Sequence, residues 1–273
     1  TAGLEAACTA AEVGCNTFLL EKGSELGGLA SLISKIPAKN RLADFPHYLM
    51  HRAEQLDNLY IFKNTEGTPE NIRKFHPNII VSSTGSAPLL PPIAGLKDRI
   101  DNENHNIYSI LGMISHINDF PKDLEGKKVV VVGGGAVGLD VVEFFADRNA
   151  DISIVEMMDQ IGRDLDPVSK NDTKTMMKKH NVHQLTKTAL LEVKDSSFLV
   201  RGDGEPYELP FEYGFVCLGM RAQGQLYQNL TEEFSSEDVE IMNIGDSQRA
   251  RRIIDGTQEG RNILTILEQK GYL

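Results

Sequence analysis

Four residues of this chain have the types and spacing to hold a nucleotide: Gly133, Gly135, Gly138 and Glu156. Residues 129–156 read VVVVGGGAVGLDVVEFFADRNADISIVE: an apolar run, a G-x-G-x-x-G turn, a helix-periodic segment, a second apolar run and an acid. That order is the strand, turn, helix, strand and acid of a dinucleotide-binding βαβ unit. Gly133 permits the tight turn, Gly135 lets backbone close on a pyrophosphate, and Gly138 lets helix and strand pack. The helix entered through Ala136 and Val137 turns unpaired N–H groups toward phosphate charge. Glu156, 18 residues beyond Gly138, is placed to accept from adenosine ribose hydroxyls. Met157 and Met158 follow it where a 2′-phosphate would call for arginine, which favours NADH over NADPH.

The opening residues repeat this unit. An offset of 135 carries Gly3 to Gly138, Leu4 to Leu139, Ala11 to Ala146 and Glu21 to Glu156. Thr1-Ala2-Gly3 then reads as the tail of a G-x-G-T-A-G whose strand and first two glycines precede the chain, and the absence of an initiating methionine fits a chain cut at its front. Gly27 and Gly28, just past the acid of this copy, either bring backbone close to a cofactor or form a flexible loop.

Around these units the elements alternate. Residues 42–56 carry helical apolar spacing and 59–62 a short strand; NIIVSSTG at 78–85 reads as a buried strand ending in small residues. Pro88, Pro91, Pro92 and Gly95 then break structure, and 107–117 is expected to be a connecting helix. Past Glu156, a helix is expected at 167–180, with Met176 and Met177 in its packing, then an antiparallel meander at 190–209, then a buried strand GFVCLG at 214–219 that parallels NIIVSSTG. The tail opens with a strand closing on Gly245-Asp246. There a carboxylate can hold sugar-alcohol hydroxyls or cap the next helix, expected at 250–270 with Ile253, Ile254, Ile263, Leu264 and Leu267 inward.

The 273 residues suffice for two domains, and a composition of 41% hydrophobic and 25% charged residues is that of a globular protein. No apolar run approaches the ~18 residues a membrane span needs, so no membrane partner is expected. A net charge of −11 without a basic stripe speaks against nucleic acid; the cluster Arg249, Arg251 and Arg252 reads as a solvated or phosphate-facing helix end. Cys8, Cys15 and Cys217 are isolated, which disfavours disulfides, zinc, iron–sulfur ligation and a dithiol–disulfide reductase, and points to a reducing cytoplasm. His47 and His51 have metal-compatible spacing but lack a third ligand, so no metal is expected.

As an ordered set, T-A-G with Glu21, Ser83-Thr84-Gly85, G-G-G-A-V-G with Glu156, Leu218-Gly219 and Gly245-Asp246 resemble the flavoprotein reductases with two dinucleotide domains. LGG at 26–28, GGGAVGLD, VCLGMRA and IGDSQRARRIIDGTQEG are most similar to the C-terminal part of the 2-enoate reductase and 2,4-dienoyl-CoA reductase family, the NADH:flavin oxidoreductases related to old yellow enzyme. The resemblance implies an α/β, glutathione-reductase-like fold of two Rossmann-like, three-layer domains. FAD would be bound by 1–106 plus 223–273, and NADH by an inserted 107–222. It places Gly3, Glu21, Gly27, Gly28, Thr84, Gly85, Gly245 and Asp246 around FAD, with Gly219 at the matching strand end, and Asp140 beside the nicotinamide. It assigns no catalytic acid or base within the chain, because hydride passes directly from nicotinamide to flavin. That family carries a barrel with FMN and an iron–sulfur cluster ahead of this region. The barrel is the expected partner, with enoate or dienoyl-CoA reduction as the outcome and a homo-oligomer left open. The competing reading is a non-catalytic ADP-binding module with a structural role.

Overall fold

A computed structural model describes residues 1–273, which form two compact units: residues 1–35, 39–87 and 221–273, and residues 36–38 and 88–220. Apart from the short excursion at 36–38, the chain passes between them at 87/88 and again at 220/221, whereas the sequence placed these passages at 106/107 and 222/223. Leu96 and Ile100 explain the earlier passage, being buried in one cluster with Val130, Val132 and Val216 of the second unit.

The second unit is built on a five-stranded parallel sheet, in the order Ile107–Tyr108, Tyr213–Val216, Lys128–Val132, Asp151–Val155, His183–Leu185. The four valines can fill the central strand because both faces are covered, as a parallel sheet requires. Val130 and Val132 pack under the antiparallel meander Ala189–Val193, Ser197–Arg201, Tyr207–Pro210. The helix Ala136–Ala146 buries Val141, Val142 and Phe145, the last with its ring centroid 4.8 Å from that of Phe215. The expected helix at 107–117 is corrected: Ile107–Tyr108 is an edge strand, and Ser109 caps a shorter helix, Ile110–Ser115, through Gly112 N–H. Its Oγ and N–H both bond Asp101, at 2.7 and 2.8 Å, which fixes the strand-to-helix turn.

The first unit repeats part of this plan. Helix Ala2–Glu12 leads to strand Thr17–Leu20, which pairs in parallel with Leu59–Phe62; Ile79–Ser82 pairs in parallel with Glu240–Asn243. The two ladders are separate two-stranded sheets. The helix expected at 42–56 is Asp44–Glu54, entered from a 3-10 helix, Pro37–Ala43. The expected tail helix is also corrected: Ile253–Arg261 and Ile263–Gln269 are two helices that break at Asn262. Ile263 and Leu267 are buried and Leu264 half-buried, but Ile253 and Ile254 are exposed. The first of these helices buries its glycines instead. A Cβ on Gly260 would press on the Ala2 carbonyl at 2.7 Å, and one on Gly256 would meet the Ala2 Cβ at 3.3 Å. Backbone-to-backbone packing of that kind leaves no room for isoleucine on the contact face.

Candidate functional site

The four glycines at 133, 134, 135 and 138 answer to different constraints. Gly133 has φ +112°, and a Cβ there would strike the Cys217 carbonyl; a Cβ on Gly138 would strike the Gly133 carbonyl and meet Val131 at 3.5 Å. Gly134 is buried, and its Cβ would lie 2.9 Å from a Glu156 carboxylate oxygen. Gly135 alone of the four faces open space: it and Ala136 are exposed, and nothing lies within 4 Å of its added Cβ. Helix Ala136–Ala146 starts immediately after it, with no side-chain cap on its first N–H groups. A bare backbone edge at a helix N-terminus, free of side chains, fits a pyrophosphate.

Glu156 does more than the sequence indicated. Its Oε2 accepts from Gly134 N–H at 2.7 Å and its Oε1 from Met158 N–H at 2.7 Å. Gly162 N–H, from the loop beyond, donates to the Gly134 carbonyl at 2.7 Å. The carboxylate therefore ties the glycine turn to the end of strand Asp151–Val155 while keeping lone pairs for ribose hydroxyls. Gly134 and Gly162 were missed, although three consecutive glycines at 133–135 were a visible signal. Val137 and Asp140 are half-exposed on the first turns of the same helix. Gly219 (φ +105°) ends strand Tyr213–Val216 with open space at its Cα and accepts Leu89 N–H at 2.9 Å.

The first unit carries the same acid geometry. Gly23 N–H donates to Glu21 Oε1 at 2.7 Å, the bond that Met158 makes to Glu156 at the same offset of 135. Glu21 N–H bonds the Phe62 carbonyl and Thr65 N–H the Glu21 carbonyl, as Glu156 does with Leu185 and Thr188. Gly3 plays the packing part of Gly138, since a Cβ there would strike Ser83 Oγ. Gly28 (φ +58°) and Gly85 (φ +75°) both face open space. Gly27 (φ +100°) instead packs on Ser31 and Pro46, so of the two glycines Gly28 is the exposed one. Thr84 Oγ1 donates to the Gln223 carbonyl at 2.5 Å and Gln223 N–H returns to the Gly85 carbonyl at 2.9 Å, closing the strand end. Asp246 accepts from Ser86 Oγ at 3.1 Å and from Arg251 N–H at 3.0 Å rather than capping a helix of its own. Ser86 carried no sequence signal for this contact. The carboxylates of Glu21 and Asp246 and the open glycines suit a ligand with diol and polyol hydroxyls.

The three cysteines are free, and burial pushes the Cys8 thiol up to about 11 and the Cys217 thiol up to about 12, so neither is a thiolate at neutral pH. His51 lies 3.6 Å from Glu54 on their shared helix. No helix is long and apolar enough to cross a membrane.

Comparison with known proteins gives this geometry a family. An NADH oxidase of Thermoanaerobacter brockii is 26% identical over 260 residues, covering 95% of this chain and 38% of that protein. A cinnamate reductase of Clostridium sporogenes is 22% identical over 262 residues, covering 93% and 36% respectively. Among solved structures, a 2-naphthoyl-CoA reductase complexed with 2-naphthoyl-CoA superposes with a TM-score of 0.81 at 23% identity, over 96% of this chain and 38% of that one. The chain thus spans less than half the length of these relatives. The model of the pyridine nucleotide-disulphide oxidoreductase family matches residues 1–239, and the chain belongs to that family, with its α/β FAD/NAD(P)-binding fold.

Proposed function

We propose that the chain is the electron-input part of a flavin-dependent NADH oxidoreductase. The unit built mainly from residues 88–220 takes NADH on the Gly133–Gly138 turn and Glu156, and the unit built from residues 1–35, 39–87 and 221–273 takes FAD between Gly3, Glu21, Gly28, Gly85 and Asp246. When bound there, NADH would supply a hydride and FAD would accept it. The chain's own residues bind and orient: helix N-termini face the phosphates, Glu156 and Glu21 hold the adenosine riboses, and Asp246 holds the polyol. None of them has to move a proton.

The observation that carries this reading is the open backbone edge at Gly135, flanked by glycines that are packed shut and by the Glu156 carboxylate. A carboxyl side chain pinned there by two N–H groups leaves no cationic partner for a 2′-phosphate, which supports NADH over NADPH. The names of two longer relatives, a cinnamate reductase and a 2-naphthoyl-CoA reductase, support a final acceptor with a conjugated double bond, and the family resemblance suggests an enoate or dienoyl-CoA reduced on a barrel domain. The direct test is calorimetric titration with NADH, NADPH and FAD. The reading expects separate sites for NADH and FAD, with NADPH at least about tenfold weaker than NADH. Binding of ADP with no response to NADH would favour the structural alternative.

A further inference from the structure

Asp246 has a competitor within its own loop. Each of its oxygens holds one hydrogen bond, from Ser86 and from Arg251 N–H, which leaves acceptor capacity for a hydroxyl. The Arg251 side chain, rooted at the residue whose backbone already touches Asp246, could fill that capacity with a guanidinium. It is turned elsewhere. Its Nη2 donates to Glu259 Oε1 at 2.5 Å and its Nε to the Arg249 carbonyl at 3.2 Å. Glu259 raises the Arg251 pKa by that hydrogen bond, and the charges of Asp255 and Asp246 add to the effect, so Asp246 stands within the field of the same guanidinium. Glu259 Oε2 meanwhile accepts from Gly245 N–H at 2.7 Å, at a glycine whose φ of +67° sets the turn presenting Asp246. The pair sits at the surface, Arg251 exposed and Glu259 half-buried, with 29% and 23% of their side chains exposed.

We propose that Glu259 is a positioning residue for the polyol site: one oxygen pins the Gly245 turn, and the other draws the Arg251 guanidinium off Asp246, keeping that carboxylate open to a sugar-alcohol hydroxyl. The inference rests on reading Asp246 as the acceptor for the ribityl chain of FAD. Charge at position 259 is what matters for Arg251, whereas any carbonyl oxygen serves Gly245. Glu259→Gln therefore separates the two roles: it retains an acceptor for Gly245 N–H and releases the guanidinium toward Asp246.

The test is FAD affinity of the full chain by flavin fluorescence, beside the melting temperature of the ligand-free protein. Glu259→Gln should weaken FAD about tenfold or more with little change in melting. Adding Arg251→Gln should restore affinity to within about threefold of wild type, because the competitor is gone. An unchanged affinity in Glu259→Gln, or no recovery in the double variant, overturns the inference. Asp246→Asn distinguishes the underlying reading: if it leaves FAD affinity unchanged, the polyol assignment fails, and if it weakens FAD while Glu259→Gln does not, only the Glu259 inference fails. The guanidinium can also be followed without flavin through the Arg251 Nε–H resonance. Glu259→Gln should shift it, and Asp246→Asn in that background should shift it again; a silent second substitution would show that Arg251 never reaches Asp246 and would overturn the inference.

Discussion

Replacing Glu156 with alanine separates a ribose-binding acid from one that also builds its own site. The carboxylate accepts two N–H groups at 2.7 Å, one from the buried Gly134 and one from the more exposed Met158. A hydrogen bond to a charged group contributes about 1.5–3 kcal/mol, and a buried N–H left without a partner costs about 1–3 kcal/mol. Water can re-solvate Met158 N–H but not Gly134 N–H, so the loss centres on the glycine and comes to about 2–3 kcal/mol. For a chain of this size that lowers the melting temperature by roughly 4–12 °C. NADH affinity should fall about 30-fold or more, because the diol acceptor disappears and the turn loosens at once. Glu156→Gln keeps one acceptor and should lose about half as much stability. The assays are calorimetric melting of the ligand-free chain and NADH titration. A melting temperature within about 1 °C of wild type would refute the bracing role, whatever happens to binding. An exchange of cofactor preference made at Glu156 alone would therefore damage NADPH binding as well.

Three further outcomes follow from the geometry. Gly138→Ala drives a methyl into the Gly133 carbonyl and should cost about 1–3 kcal/mol by urea unfolding. Gly135→Val, at φ −79° with open space around it, should leave stability within about 0.5 kcal/mol yet abolish NADH binding by filling the phosphate edge. Glu5 is 2% exposed and binds Arg52 Nη1 at 2.9 Å and Arg261 Nε at 2.8 Å. Burial opposes its ionisation, but the hydrogen bonds from Arg261 and Arg52 outweigh it and hold the pKa below the ordinary 4.5. With the folded value depressed, the stabilisation is present above the unfolded pKa and fades as pH falls through the folded one. Glu5→Gln should therefore destabilise by about 2 kcal/mol at neutral pH and flatten the acid limb of the urea midpoint against pH; an unaltered acid limb would count against the pairing.

What the sequence made legible was periodic or spaced. The glycine turn, the acid 18 residues on, the repeat at an offset of 135 and the meander all come from local chemistry that one dimension preserves. The repeat holds down to the matching carboxylate bonds at Gly23 and Met158. What stayed hidden depended on contacts between distant residues. Ile253 and Ile254 have helical spacing but lie outside, because Gly256 and Gly260 give the helix a closer fit to residue 2 and its neighbours than isoleucine could. Ser86, Arg251 and Glu259 acquire a role only once the strand end at 85 and the helix at 253 bring them to Asp246. The strand at Ile107–Tyr108 is too short to leave a period, and its pairing with Tyr213–Val216 decides it.

The central claim is that this chain passes electrons from NADH to a flavin it holds, and anaerobic titration of the FAD-loaded chain with NADH tests it most directly. The account predicts that the oxidised flavin band bleaches in proportion to NADH added, to one equivalent per flavin, and that NADPH bleaches it far less readily. A flavin band that persists with NADH bound would contradict it.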